Sequence, residues 1–287
     1  MRRSKKSRAS AATGKGAPAV QFEQELEVFR TEVETALQFF YGFLAIHACA
    51  GDTPTVHRLL NTAPLFWNST LGALQTSTFV VLGRIFDQSS PHNIGILLAL
   101  AENNPSIFSK AALERRKLAS ATNAPSWIVE YMNSVYVPKP ADFRRLRGYV
   151  SKHRKTYLAK YRDLRHKVFA HKEITDATQV SALFARTNIR EMQRMLLFCL
   201  SLYDALWQLF VNGRKPVLRS RKISVDRIRK RAVGRSRSNA VHERIVEEAE
   251  AFLKAAAEVN VQLGKVPSTN VSATAPQLRR ARIAKAG

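Results

Sequence analysis

The chain has 287 residues and 46 Lys and Arg against 22 Asp and Glu, for a formal net charge of +24. An apolar share of 45% excludes a wholly disordered chain, and the length fits one or two domains that each bury a core. Two cysteines, Cys49 and Cys199, exclude a disulfide scaffold and, with scattered histidines, a structural zinc cluster; no metal or cofactor is expected.

Residues 1–20 are rich in Ser, Ala, Gly and Lys and read as a disordered basic tail. Helical spacing begins at Phe22 and continues through Leu26, Phe29, Val33, Ala36, Phe40 and Phe43 to about Ile46. Gly51, Asp52 and Pro54 end that helix. A second helix is predicted from Pro64 to Phe86, with Leu65, Leu71, Leu74, Phe79, Leu82, Ile85 and Phe86 available to a core. Shorter helices follow near Asn93–Leu100, Ser106–Leu118 and Trp127–Val135. One long helix is expected from about Ala141 to His171, and another over Asn188–Val211, closed by Gly213 and Pro216. The stretch 214–238 reads as a basic linker or an exposed cationic helix. Ala240–Val261 reads as an amphipathic helix using Ile245, Ala249, Phe252, Ala256 and Val259. Strand alternation and internal repeats are absent, so the fold class is all-α. The expected organisation is a helical domain at 21–213, the linker at 214–238, one further helix at 239–263 and a disordered basic tail at 264–287.

The charge is concentrated in the flanks. Residues 1–20 carry six bases and no acid, 214–237 eleven bases and one acid (Asp226), and 265–287 five bases and no acid, which is +21 of the +24. Such flanks suit a polyanion, because each cation that neutralises a phosphate releases condensed counterions. The most apolar stretch, Met195–Val211, holds Asp204 and Gln208 and is shorter than the ~20 residues a span needs. No apolar run follows the basic residues of Met1–Arg8. Neither a membrane span nor a secretory leader is expected, and a cytoplasmic protein is the default.

Phosphate-binding glycine loops, zinc-protease and serine-hydrolase motifs are absent, and the acids do not cluster as in two-metal nucleases. Asp87 is expected to form a structural ion pair with Arg84. The segment Tyr161-Arg162-Asp163-Leu164-Arg165-His166-Lys167-Val168-Phe169-Ala170-His171-Lys172-Glu173 carries the one chemical constellation. Four Arg–His pairs have spacings of five to seven residues: Arg147–His153, Arg165–His171, Arg235–His242 and Arg237–His242. Only Arg165–His171 falls late in a long helix after a helical N-terminal half.

That pair, in the form Arg-polar-x-x-x-Ala-His, resembles the motif of the HEPN superfamily of α-helical ribonucleases, in its abortive-infection U-type branch. The run from Ala63-Pro64-Leu65-Phe66-Trp67-Asn68 to Leu82-Gly83-Arg84-Ile85-Phe86-Asp87 is similar to the same branch, and the resemblance covers about 21–211. It implies a HEPN-like helical bundle and a metal-independent endoribonuclease, a toxin or antiphage effector with an antitoxin or regulatory partner. It also implies a homodimer whose composite site offers paired Arg165 and His171 to one phosphodiester. An imidazole can move a proton near neutral pH, a guanidinium can hold a phosphate, and RNA supplies its own 2′-OH nucleophile.

With helix throughout, Tyr157, Tyr161, Leu164, Val168 and His171 form one stripe, which His171 would continue, and Arg165 lies beside it. Arg165 could instead pair with Asp163 or Glu173. Arg162 lies one helical turn before His166, and both are candidates for binding RNA. The alternative function is a non-catalytic helical module that binds RNA or a protein.

Overall fold

A computed structural model describes residues 17–119, 125–171, 173–232 and 240–263. The described residues are all-α, with no strand among them. Eleven helices follow in order among them: α1 (Pro18–Asp52), α2 (Pro54–Thr62), α3 (Pro64–Phe86), α4 (Ile94–Asn103), α5 (Lys110–Leu118), α6 (Ile128–Ser134), α7 (Pro140–Lys160), α8 (Ala177–Ala185), α9 (Ile189–Asn212), α10 (Val225–Ala232) and α11 (Val241–Leu263). A 3₁₀ turn, Pro105–Phe108, precedes α5, and a π-helical segment, Leu164–Ala170, follows α7.

The starts and stops follow from local chemistry. Proline opens α1, α2, α3 and α7, where its missing N–H is no loss. The side chains of Asn93, Ser109, Asp176 and Asn188 accept backbone N–H groups at the starts of α4, α5, α8 and α9. Gly213 ends α9 in the left-handed region at φ 56°, and a Cβ there would meet Leu113 and Val135 at 2.7 Å. Only glycine meets both demands.

The core is built around α1, which packs on α3, α4, α9 and α11. Its buried series Phe22, Leu26, Phe29, Val33, Leu37 steps by three or four residues, which keeps one face inward. Phe22 sits between Phe108 and Phe210, with ring centroids 5.2 and 5.0 Å away, and so ties α1 to the 3₁₀ turn and α9. By length and composition, α1 and α9 could each cross a membrane, and each spends much of its apolar surface inside the bundle. Cys49 and Cys199 are buried and free.

The helices from Pro64 to Phe86, near Asn93, and over Asn188–Val211 lie where the spacing puts them. Several details differ. The chain re-enters helix at Pro54, directly after the break at Thr53, to form α2. The long helix expected over 141–171 ends at Lys160, and α8 is an additional helix. Leu65 is 81% exposed, so the core face of α3 starts later. The buried face of α11 is Val246, Leu253 and Ala257, while Phe252 and Val259 are exposed.

The stretch expected to be a linker is docked over its described part. Residues 214–224 run extended along α9, and α10 buries Val225 and Ile228. Arg229 of α10 pairs with Asp52 at 2.5 Å and Glu250 at 3.0 Å, which joins α1, α10 and α11. The tails expected at 1–20 and 264–287 lie outside the described residues, apart from 17–20, which already belong to the start of α1.

Candidate active site

The site forms where α7 gives way to the π-helical segment, against the end of α3. Tyr161 marks the change. Its hydroxyl lies 3.0 Å from the Asn188 carbonyl and 3.2 Å from the Glu191 carboxylate, and it accepts from the Asn188 N–H at 3.3 Å. Lys160 pairs with Glu191 at 2.9 Å. These contacts pin the end of α7 to the start of α9. Burial pushes the Tyr161 phenol above its ordinary pKa, so it remains a neutral donor.

Beyond Tyr161 the ladder widens. The His171 N–H donates to the His166 carbonyl at 3.0 Å, an i→i+5 bond. Residues five apart therefore stack on successive turns, whereas an α-helix would set them roughly 140° apart. The consequence is a contact between the His166 and His171 rings, with centroids 4.5 Å apart and planes at 71°. His171 is exposed and does not continue the apolar stripe, because the extra residue per turn rotates it out of register. Leu164 is buried, and Phe169 packs against Phe79 and Phe184 with centroids 5.4 and 6.0 Å away. The segment thus has an apolar inner side and a polar outer side.

Arg165 turns toward the end of α3. Its Nη1 lies 3.0 Å from Asp87 Oδ2, with the two side chains 25% and 10% exposed. The buried Tyr157 hydroxyl donates to the same carboxylate oxygen at 3.1 Å. Burial first, and the Asp87 charge second, raise the Tyr157 pKa, which keeps its proton for that bond. Asp87 also caps α3, its N–H donating to the Gly83 carbonyl at 2.8 Å. The Arg165 Nε is buried without a hydrogen-bond partner and lies over Gly83, where a Cβ would come within 2.8 Å of it. Gly83 is a slot for the arginine shaft.

The ion pairs expected from local sequence are redistributed. Arg84 reaches Glu32 on α1 at 2.8 Å, which leaves Asp87 to Arg165. Asp163 pairs with Lys167 at 3.2 Å, and Glu173 lies 3.8 Å from His166 Nε2. Arg162 is exposed on the outer side. The four candidates Arg162, Arg165, His166 and His171 therefore share one segment, with Arg165 directed to Asp87 and the two imidazoles directed to each other. Asp87, Gly83 and Tyr157 complete the neighbourhood. No group of three His, Cys, Asp or Glu among the described residues could hold a metal ion.

No curated protein and no solved structure matches the chain. The HEPN family model described as AbiU2 matches residues 19–228, from the first turn of α1 into α10, with the Arg165–His171 segment and its Asp87 support inside the match. A match over most of the chain, joined to an all-α bundle, places this protein in the AbiU2 family of HEPN proteins.

Proposed function

We propose that the protein is a metal-independent endoribonuclease of the HEPN type, with Arg165, His166 and His171 as its reacting groups. The observation that supports this most is the π-helical segment, which holds two exposed-side imidazoles 4.5 Å apart next to an arginine fixed by an aspartate. π segments of this kind recur at functional sites.

In this reading the two kinds of group, imidazole and guanidinium, divide the work of cleavage. One imidazole accepts the 2′-OH proton as the 2′-oxygen attacks the adjacent phosphorus. The P–O5′ bond breaks, and the second imidazole, entering protonated, gives its proton to the departing 5′-oxygen. The products are a 2′,3′-cyclic phosphate and a 5′-hydroxyl. Arg165 holds the phosphate and stabilises charge in the pentacoordinate transition state. Asp87 touches no substrate in this scheme; it positions the guanidinium. Arg162 holds the neighbouring stretch of RNA. Two copies of the segment facing across a two-fold axis give the composite site, so the working form is a homodimer. A toxin or antiphage role, with an antitoxin or regulatory partner, and a cytoplasmic setting are the biological frame that fits.

The Arg165–Asp87 pair also favours a second reading, a non-catalytic RNA- or protein-binding module in which Arg165 is structural. Labelled RNA incubated in EDTA with wild type, His171→Ala and Arg165→Lys separates the two. The ribonuclease reading expects cyclic-phosphate ends from wild type only, since a lysine cannot reproduce the planar grip. RNA left intact by wild type, or cut at full rate by Arg165→Lys, would overturn it.

A further inference from the structure

Residues 214–224 leave α9 and run extended along it, and the backbone is held at several points. The Arg214 N–H donates to the Gln208 carbonyl at 3.1 Å. The buried Ser201 hydroxyl accepts the Arg219 N–H at 2.8 Å and donates to the Arg219 carbonyl at 2.9 Å. Gln193 donates to the Ile223 carbonyl at 2.6 Å, and Arg145 to the Pro216 carbonyl at 3.3 Å. Pro216 is turned inward. The cations are turned out: Arg214, Lys215, Arg219 and Arg221 are all exposed.

These four cations line one wall of a polar cleft of about 330 Å³, and α9 supplies the other wall, including Gln208 and Asp204. Asp204 is the one acid among the lining residues, and it pairs with Arg221. Four bases against one acid leave the lining at +3. Arg219 and Arg221 stand two residues apart on an extended chain, roughly 6.6 Å, and so form a row of charge, not a single point.

We infer that this cleft binds the sugar–phosphate backbone of an RNA strand, separately from the Arg165–His171 segment. A row of guanidinium groups on a pinned backbone loses little entropy when it meets a repeating polyanion, unlike a free basic tail. The choice of RNA over other polyanions rests on the ribonuclease reading, and the cleft itself rests on the geometry above.

The test uses the full chain and a fluorescent 2′-O-methyl RNA 20-mer, which lacks the nucleophile and stays intact. Affinity is measured by anisotropy from 50 to 300 mM salt for wild type, for the triple variant Arg214→Gln, Lys215→Gln, Arg219→Gln, and for a control triple, Arg58→Gln, Lys110→Gln, Arg115→Gln. Single strands release ~0.7 counterion per phosphate contact, so the cleft triple should lower the slope of log K against log salt by about 2. Its affinity at 50 mM salt should fall about tenfold or more, with the melting temperature unchanged. The control triple removes the same charge from other exposed positions and should leave the slope near wild type. Equal losses in both triples, or an unchanged slope in the cleft triple, would overturn the cleft. A larger loss of affinity for anionic vesicles than for RNA would assign it to a membrane surface instead. RNA bound through the cleft but never cut would defeat the ribonuclease reading alone. Unmodified RNA cut by the cleft triple with unchanged KM would defeat the cleft alone.

Discussion

Replacing Gly83 by alanine is the sharpest probe of the Arg165 geometry, because it touches neither charge. The new methyl carbon would stand 2.8 Å from Arg165 Nε, 3.2 Å from its Cδ and 3.2 Å from the Tyr157 hydroxyl. The arginine side chain is flexible and partly open to solvent, so it yields before the backbone of α3 does. Leaving the slot breaks the 3.0 Å pair with Asp87, a loss of about 1.5–3 kcal/mol for a charged contact. Alanine returns about 0.8–1 kcal/mol of helix propensity at this interior position. The net destabilisation is about 0.5–2 kcal/mol, which for a chain of this size lowers the melting temperature by about 1–8 °C. Cleavage should fall far more, about 100-fold or beyond, if a positioned guanidinium stabilises the transition state. Differential scanning calorimetry and a single-turnover cleavage assay on the same preparation read both quantities. Wild-type cleavage by Gly83→Ala would refute the requirement for Arg165 in its slot. A collapse in stability above about 15 °C would show that α3, not the arginine, had moved.

If the two imidazoles act as a unit, His166→Ala and His171→Ala should each remove most of the cleavage rate, and the double variant should be little worse than either; additive losses would separate their roles. Burial, with smaller effects from Lys152 and Arg194, lowers the His153 pKa to about 4, and burial likewise lowers those of His47 and His242. Each ring binds a proton more readily once unfolded, so stability is full above about pH 6.5 and declines as pH falls toward 4. Allowing for partial solvent screening, His153 alone contributes about 1 kcal/mol between pH 7.5 and 5, and the melting temperature should drop by about 3 °C or more. A flat melting curve across that range would contradict the assignment. Light scattering on cleaving preparations should find a dimer, and an active monomer would rule out the composite site.

Much of the bundle is legible in the sequence, because α1, α3 and α9 carry apolar steps of three and four that leave one face no choice. The exceptions have physical causes. Tyr157, Tyr161, Leu164 and Val168 keep α-helical spacing, so nothing in the pattern announces that the ladder beyond Tyr161 widens to i→i+5. Asp87 and Arg165 are 78 positions apart, and the local sequence offers Asp87 only the nearer Arg84, which reaches Glu32 across helices instead. The slot at Gly83 exists only once the π-helical segment lies beside α3. The charge of 214–232 masked its apolar anchors, Pro216, Val225 and Ile228, which are few but fully used.

The family match ends at residue 228, yet the unit that folds does not. Leu253 and Ala257 of α11 share a buried cluster with Ile46, Cys49 and Val56, and Trp67 and Leu71 lean on it. A protein trimmed to the matched segment keeps Arg165, His166 and His171 but strips the oily end of the bundle bare and severs the Arg229 tie to Glu250. Such a fragment would cling to its neighbours through that bared end, so its self-association would no longer report on the two-fold pairing of the Arg165–His171 segments.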